Sequence, residues 1–196
     1  MKKLESSLIN MVLVLTGVAV IMGGVLAAVN HMTEGPIAAQ KEKALADGIR
    51  TVMVSDNITV GEPVEVKQDD GKGKELTYTV YQVKDAQGQD LGAAVESTTG
   101  GFGGDLKVLV GFNPEGTILG YTLLEHAETP GLGAKADKWF QRGQKGDIIG
   151  KSPKEPLTVS KDGGQVDAIT ASTITSRAFL LAVNNAYRAY RATPAE

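Results

Sequence analysis

The stretch Leu106-Lys-Val-Leu-Val-Gly-Phe-Asn-Pro-Glu-Gly-Thr-Ile-Leu-Gly-Tyr-Thr-Leu-Leu124 sets the fold class. Residues 106–112 and 117–124 are rich in strand formers, and Asn113-Pro-Glu-Gly116 between them is a turn. The pair reads as a hairpin. A second pair lies upstream. Leu76-Thr-Tyr-Thr-Val-Tyr-Gln-Val83 alternates, and Asp85-Ala-Gln-Gly-Gln89 turns it into residues 91–95. A short strand is expected at residues 64–66, followed by the polar turn Gln68-Asp-Asp-Gly-Lys-Gly-Lys74. Hairpins in series imply a mainly antiparallel sheet. No internal repeat accompanies them.

Helices are expected at both ends of this sheet, which makes the class α+β. Thr33-Glu-Gly-Pro36 reads as a helix start, with Thr33 as cap and Pro36 in the first turn. The helix runs to about Val54 and sets Ile37, Lys41, Leu45, Ile49 and Val52 near one face. A last helix begins near Thr175. Phe179, Val183, Ala186 and Tyr190 form its stripe, with Ile174 and Leu180 or Leu181 close by.

Before all of this, residues 6–30 carry no charged side chain. As a helix, residues 8–29 would cover about 33 Å, enough for a hydrocarbon core of about 30 Å. A cleaved signal peptide competes, with Val25-Leu-Ala27 as its cleavage site, but the apolar run exceeds the usual 7–15 residues. The expectation is one retained transmembrane helix. Lys2 and Lys3 precede it, so the positive-inside rule puts residues 1–7 in the cytoplasm and residues 30–196 outside. Gly23 with Ala27, and Gly24 with Ala28, are spaced for close helix approach. They form either a docking face for other membrane subunits or the ordinary composition of such helices.

Composition excludes several classes. Setting aside Lys2, Lys3 and Glu5 leaves 18 basic and 22 acidic residues, a poor match to nucleic acid. Cysteine is absent, so disulfides, iron–sulfur clusters and thiol catalysis are impossible. His31 and His126 lack ligand spacing, and no metal site is expected. Any redox work must use an organic cofactor.

Two stretches fit the hairpins poorly: Thr99-Gly-Gly-Phe-Gly-Gly104 and Glu125-His-Ala-Glu-Thr-Pro-Gly-Leu-Gly133. The first is either a flexible surface loop or a place where something approaches the backbone closely. The second is a shaped loop. Further on comes Asp167-Ala-Ile-Thr-Ala-Ser-Thr-Ile-Thr-Ser-Arg177. Thr170, Ser172, Thr173, Thr175 and Ser176 crowd the mouth of a helix, where unpaired N–H groups and the dipole favour an anion. One cap needs one hydroxyl; five in seven residues suggest a phosphate, held or esterified. Asp167 sits oddly beside a phosphate unless it holds a metal during a reaction on the hydroxyls.

Asp167-Ala-Ile-Thr-Ala-Ser-Thr173 resembles the flavin-transfer signature Asp-x-x-Ser/Thr-Gly-Ala-Thr/Ser. Glu128-Thr-Pro-Gly-Leu-Gly133, the glycine-rich segment before Leu106 and the Trp139-Phe140 region look like the same family. This is the FMN-binding domain family shared by the G-type component of Rnf electron-transport complexes and the C-type component of the sodium-pumping NADH:quinone reductase. The resemblance is closest to the G-type proteins. It implies FMN joined through a phosphoester to Thr173 by a flavin transferase that uses FAD and magnesium, with Thr175 as the runner-up acceptor. It further implies that Thr170, Ser172, Glu128, Thr129, Gly131, Leu132 and Gly133 border the flavin and that Asp167 serves the transfer motif. Lys135 either faces the phosphate or is solvated. The chain departs from the signature in one place. Ala171-Ser172 replaces Gly-Ala, which puts a side chain where glycine is usual and adds a rival hydroxyl.

The implied function is an electron carrier in a membrane complex between ferredoxin and NAD that drives ion transport. Its partners would be the other membrane subunits, the flavin transferase during maturation, and lipid. Two alternatives stand beside it: the C-type component of the quinone reductase, and an anchored binding or scaffold domain whose hydroxyls only cap a helix.

Overall fold

The structure, a computed structural model, describes residues 7–69 and 75–193. Lys2 and Lys3, which carry the expected orientation, lie outside the described residues, as do residues 70–74 of the expected turn. Two compact units divide between Ala44 and Leu45.

The first unit is helical. Helix α1 is continuous over Leu8–Met53, and its residues up to Ala44 make this unit. Its best window has a mean hydropathy of 2.6 and none of it is buried within the protein, so it is long and apolar enough to cross a membrane. The helix start expected at Thr33 is corrected. Thr33 donates its hydroxyl back to the Val29 and Asn30 carbonyls at 2.9 and 3.2 Å instead of capping a new helix. Pro36 lies inside α1. It removes one backbone donor, but Ala38, Ala39, Gln40, Lys41, Glu42, Lys43 and Ala44 are strong helix formers on its far side and carry the helix on.

The second unit begins with the last residues of α1 and continues as an antiparallel sheet. Its strands are β1 (Ile58–Val60), β2 (Val64–Asp69), β3 (Glu75–Asp85), β4 (Asp90–Gly100), β5 (Asp105–Phe112) and β6 (Ile118–His126). Their order is β1-β3-β4-β5-β6, and β2 pairs with β3 beside β1. Both hairpins expected from the sequence form. Asn113 closes the second, its carboxamide oxygen accepting from the Thr117 N–H at 2.8 Å. The glycine-rich stretch after Thr99 is not a free loop. Gly100 pairs with Asp105, Gly101 N–H donates to the Gly104 carbonyl at 2.7 Å, and β4 and β5 thus make a third hairpin.

Alternation gives the sheet two apolar faces. Tyr78, Val80, Ala93, Val95, Val108 and Val110 face the main core. Val83, Ala94 and Leu109 face the end of α1, where Ile49, Val52 and Met53 are buried. The main core is roofed by α3 (Thr173–Ala192). Its buried Ala178, Ala182, Ala186 and Ala189 are small, which lets the helix lie close to the strands. Phe179 stacks on Phe140 at 4.3 Å and meets Tyr121 edge-on at 4.7 Å. The short α2 (Ala136–Trp139) delivers Phe140 to this cluster. Between α2 and α3 the chain is mostly irregular, yet Ile148, Leu157, Val159, Val166 and Ile169 are buried. Asn184 of α3 ties this segment down, accepting from the Leu157 N–H and donating to its carbonyl, both at 2.9 Å.

Candidate functional site

The start of α3 is open. Ser172 occupies the cap position but its side chain makes no capping bond. The Ser176 N–H reaches the Ser172 carbonyl at 3.0 Å. The N–H groups of Thr173, Ile174 and Thr175 come before it in the first turn, where an α-helix has no carbonyl to offer them. That is the arrangement a phosphate satisfies. The residue before the cap, Ala171, sits in the left-handed region at φ 62°. The glycine usual at this position in the signature therefore has a geometric reason, and alanine adopts the same turn under strain.

The five hydroxyls have different fates. Ser176 is consumed internally, donating to the Ser172 carbonyl and accepting from the Ile169 N–H, both at 2.9 Å. Thr175 is buried and donates to Glu128 Oε2 at 2.8 Å. Ser172 is buried without a side-chain cap bond. Thr170 is exposed and stands outside the cavity described below. Thr173 is half-buried, and the Lys161 ammonium donates to its Oγ1 at 3.1 Å.

Glu128 holds the opposite wall. Its side chain is buried, and Oε1 accepts from the Phe102 N–H at 2.7 Å and from the Gly103 N–H at 3.4 Å. With Thr175 on the other oxygen, one carboxylate joins the β4–β5 turn, the loop after β6 and the first turn of α3. This close approach is why the glycines are there. A Cβ at Gly101 or at Gly133 would collide with the Glu128 carboxylate. Gly131 has a separate task. At φ 76° it follows Pro130 in a turn closed by the Leu132 N–H on the Thr129 carbonyl at 3.1 Å.

Between these walls lies a cavity of about 410 Å³. It gathers seven of the expected residues: Glu128, Thr129, Leu132, Gly133, Ser172, Thr173 and Thr175. Phe102, Ala171 and Ile174 line it as well, and none of the three was expected to border the flavin. Ile174 was expected near the buried stripe; instead it is exposed at the cavity mouth, as are Phe102 and Leu132. Apolar walls with a donor-rich end suit a flat aromatic ring bearing a phosphate.

Gly131 and Asp167 stand outside this cavity. Asp167 is a scaffold point: Oδ1 accepts from Ser160 Oγ at 3.0 Å, and its carbonyl accepts from the Trp139 indole at 2.8 Å. Lys135 and Trp139 border a separate shallow hollow. The lysine that meets Thr173 is Lys161, and no sequence pattern links these two residues, 12 apart. Next to it, Asp162 takes a two-pronged pair from Arg177 at 2.6 and 2.8 Å. The Arg177 hydrogen bonds hold the Asp162 carboxyl below the usual carboxylate range.

The cavity thus lies where the antiparallel sheet is capped by the start of one long helix. Residues 101–188 match the family model described as the FMN-binding domain, and residues 1–52 match the RnfG N-terminal region. The chain is 32% identical over 176 residues to the G subunit of the ion-translocating oxidoreductase complex of Shewanella baltica, covering 86% of this chain and 82% of the relative. It is 36% identical to the corresponding protein of Yersinia pestis, covering 83% and 80%. The chain belongs to the RnfG family, the G subunits of ion-translocating oxidoreductase complexes. Among solved structures, NqrC of Shewanella oneidensis has the same fold, with a TM-score of 0.55 at 18% identity over 79% of this chain and 100% of that one. The C subunit of the Na(+)-translocating NADH-quinone reductase from Parabacteroides distasonis gives 0.53 at 20% identity, covering 81% and 97%.

Proposed function

We propose that this chain is a membrane-anchored flavoprotein subunit of an ion-translocating electron-transport complex of Rnf type. It carries FMN joined through a phosphoester to Thr173. The single observation that carries this reading is the fate of the five hydroxyls. Thr173 alone borders both the open helix start and an ammonium group, while Thr175 and Ser176 are committed to internal bonds. That choice favours Thr173 over Thr175 as the acceptor. The bound flavin would supply the redox chemistry. The chain's own residues position it: α3 offers backbone donors to the phosphate, and Phe102, Leu132 and Ile174 offer apolar contact to the ring.

Residues 8–29 would cross the membrane with the N-terminus in the cytoplasm, and residues 30–196 would hold the flavin outside. Covalent attachment suits that location, because a lost FMN could not readily be replaced there. The electrons would pass between ferredoxin and NAD through the other membrane subunits. The two curated relatives named above are G subunits at 32% and 36% identity, while the two quinone reductase proteins share the fold at 18–20%, which favours the Rnf reading.

The test is co-expression with a flavin transferase, followed by a denaturing gel viewed for flavin fluorescence. The wild-type band is expected to glow and Thr173→Ala to be dark. A dark wild-type band, or an equally bright variant, overturns the attachment. An alkaline phosphatase fused after Glu196 should be active in cells; an inactive fusion overturns the orientation.

A further inference from the structure

The turn at Ser160–Asp162 does more than connect two segments. Its three consecutive side chains each grip the segment that starts α3. Ser160 donates to the Asp167 carboxylate at 3.0 Å. Lys161 donates to Thr173 Oγ1 at 3.1 Å. Asp162 holds the Arg177 guanidinium through both oxygens. The Ser160 and Asp162 contacts fix the turn, and Lys161 between them presents a cation.

The charge balance makes that cation matter. Asp162 stands next to Lys161 in sequence, but its charge is taken up by Arg177. Glu128 lines the cavity that Thr173 borders and would repel a phosphate, though its oxygens already accept from Phe102, Gly103 and Thr175. The backbone N–H groups at the start of α3 contribute only partial charge. Ser172 adds a buried hydroxyl at 8% exposure on the cavity wall. A full positive charge at hydrogen-bond distance from Thr173 Oγ1, the atom proposed to carry the ester, comes from Lys161 alone among the described residues.

We propose that Lys161 is a positioning residue: it pairs with the phosphodiester at Thr173 and holds the flavin in its cavity, so that the ring does not swing freely on its tether. This rests on the attachment proposed above. It concerns the seating of the flavin, and the ester bond itself is expected to form without Lys161. A single phosphoester leaves several rotatable bonds between protein and ring. A second, electrostatic point of attachment removes most of that freedom.

The experiment uses the full chain, matured by a flavin transferase and purified in detergent, as wild type, Lys161→Gln and Lys161→Arg. Intact mass establishes attachment in each. Quenching of flavin fluorescence by acrylamide, a neutral probe, reads exposure of the ring, and time-resolved anisotropy reads its local rotation. The expected result is equal attachment in all three. The quenching constant should rise about two- to fivefold in Lys161→Gln with a larger fast rotational component, and Lys161→Arg should stay near wild type. Salt near 1 M should move the wild type toward the glutamine variant, because an exposed ion pair is screened. Fully attached Lys161→Gln with wild-type quenching and rotation overturns the inference and leaves the attachment standing. Wild type without added mass overturns the attachment and this inference with it.

Discussion

Ala171 shows what one side chain can reveal when a signature is broken. Alanine stands where glycine is usual, and the backbone there is left-handed at φ 62°. The strain of an L-residue in that region is about 1 kcal/mol. Ala171→Gly is therefore expected to stabilise the fold by about that amount, read as a shift of the urea midpoint; an unchanged or lowered midpoint refutes the strain. Glu128 is the opposite case. Its carboxylate accepts three donors in a buried setting. Glu128→Ala strands two N–H groups and a hydroxyl, and should cost about 2–4 kcal/mol in the same measurement. The sequence pointed to both positions, because a motif marks them. It could not point to Lys161 or Ser160, whose roles exist only once the chain has folded back on itself. Nor could it show that Asp167 braces Ser160 and Trp139 rather than standing free at the site.

Among the elements, hairpins were legible because alternation and turn residues are local signals. β1 was missed because three residues carry no period. The buried segment between α2 and α3 was missed because its apolar residues follow neither helix nor strand spacing. The continuity of α1 was hidden by Pro36. The end of α1 shows how helix and sheet meet within the second unit. Gly111 pairs with Gly120 across β5 and β6, and a Cβ at Gly111 would collide with the Val52 carbonyl oxygen. These two glycines make a bare patch on which the last turn rests. Gly111→Ala should therefore cost about 1–3 kcal/mol by overpacking. A loss under a few tenths in urea unfolding would mean that the helix end yields easily. Just beyond, Val54 at φ 54° closes the helix. The Ser55 N–H bonds the Arg50 carbonyl and the Val54 N–H bonds the Thr51 carbonyl, in the pattern that favours glycine at Val54.

For the whole molecule, phenols held in the folded chain are expected to make stability fall at alkaline pH. Tyr121 donates to the Ala136 carbonyl at 2.6 Å, and burial raises its pKa well above the ordinary value of 10.0. Burial also raises Tyr81 and Tyr190. The unfolded chain releases these protons near pH 10 and the folded chain holds them longer. The Tyr121 contribution is intact below pH 10 and declines as pH rises above it, by up to about 1.4 kcal/mol per pH unit, while the half-buried Tyr81 and Tyr190 act in the same direction with solvent screening their part. Urea unfolding between pH 8 and 11 should show this decline, and Tyr121→Phe should make it shallower. An identical slope in the variant would remove Tyr121 from the account.

The cavity mouth has one more consequence. Phe102, Leu132 and Ile174 are 68%, 42% and 53% exposed at its rim, so a flavin seated behind them would lie within reach of dissolved gas. If the proposed flavin is held there, its reduced form would be open to oxidation by dioxygen. The isolated protein should therefore reoxidise quickly in air, and the assembled complex more slowly if a neighbour shields that rim. Equal reoxidation rates, followed by flavin absorbance, would show that no neighbour covers it.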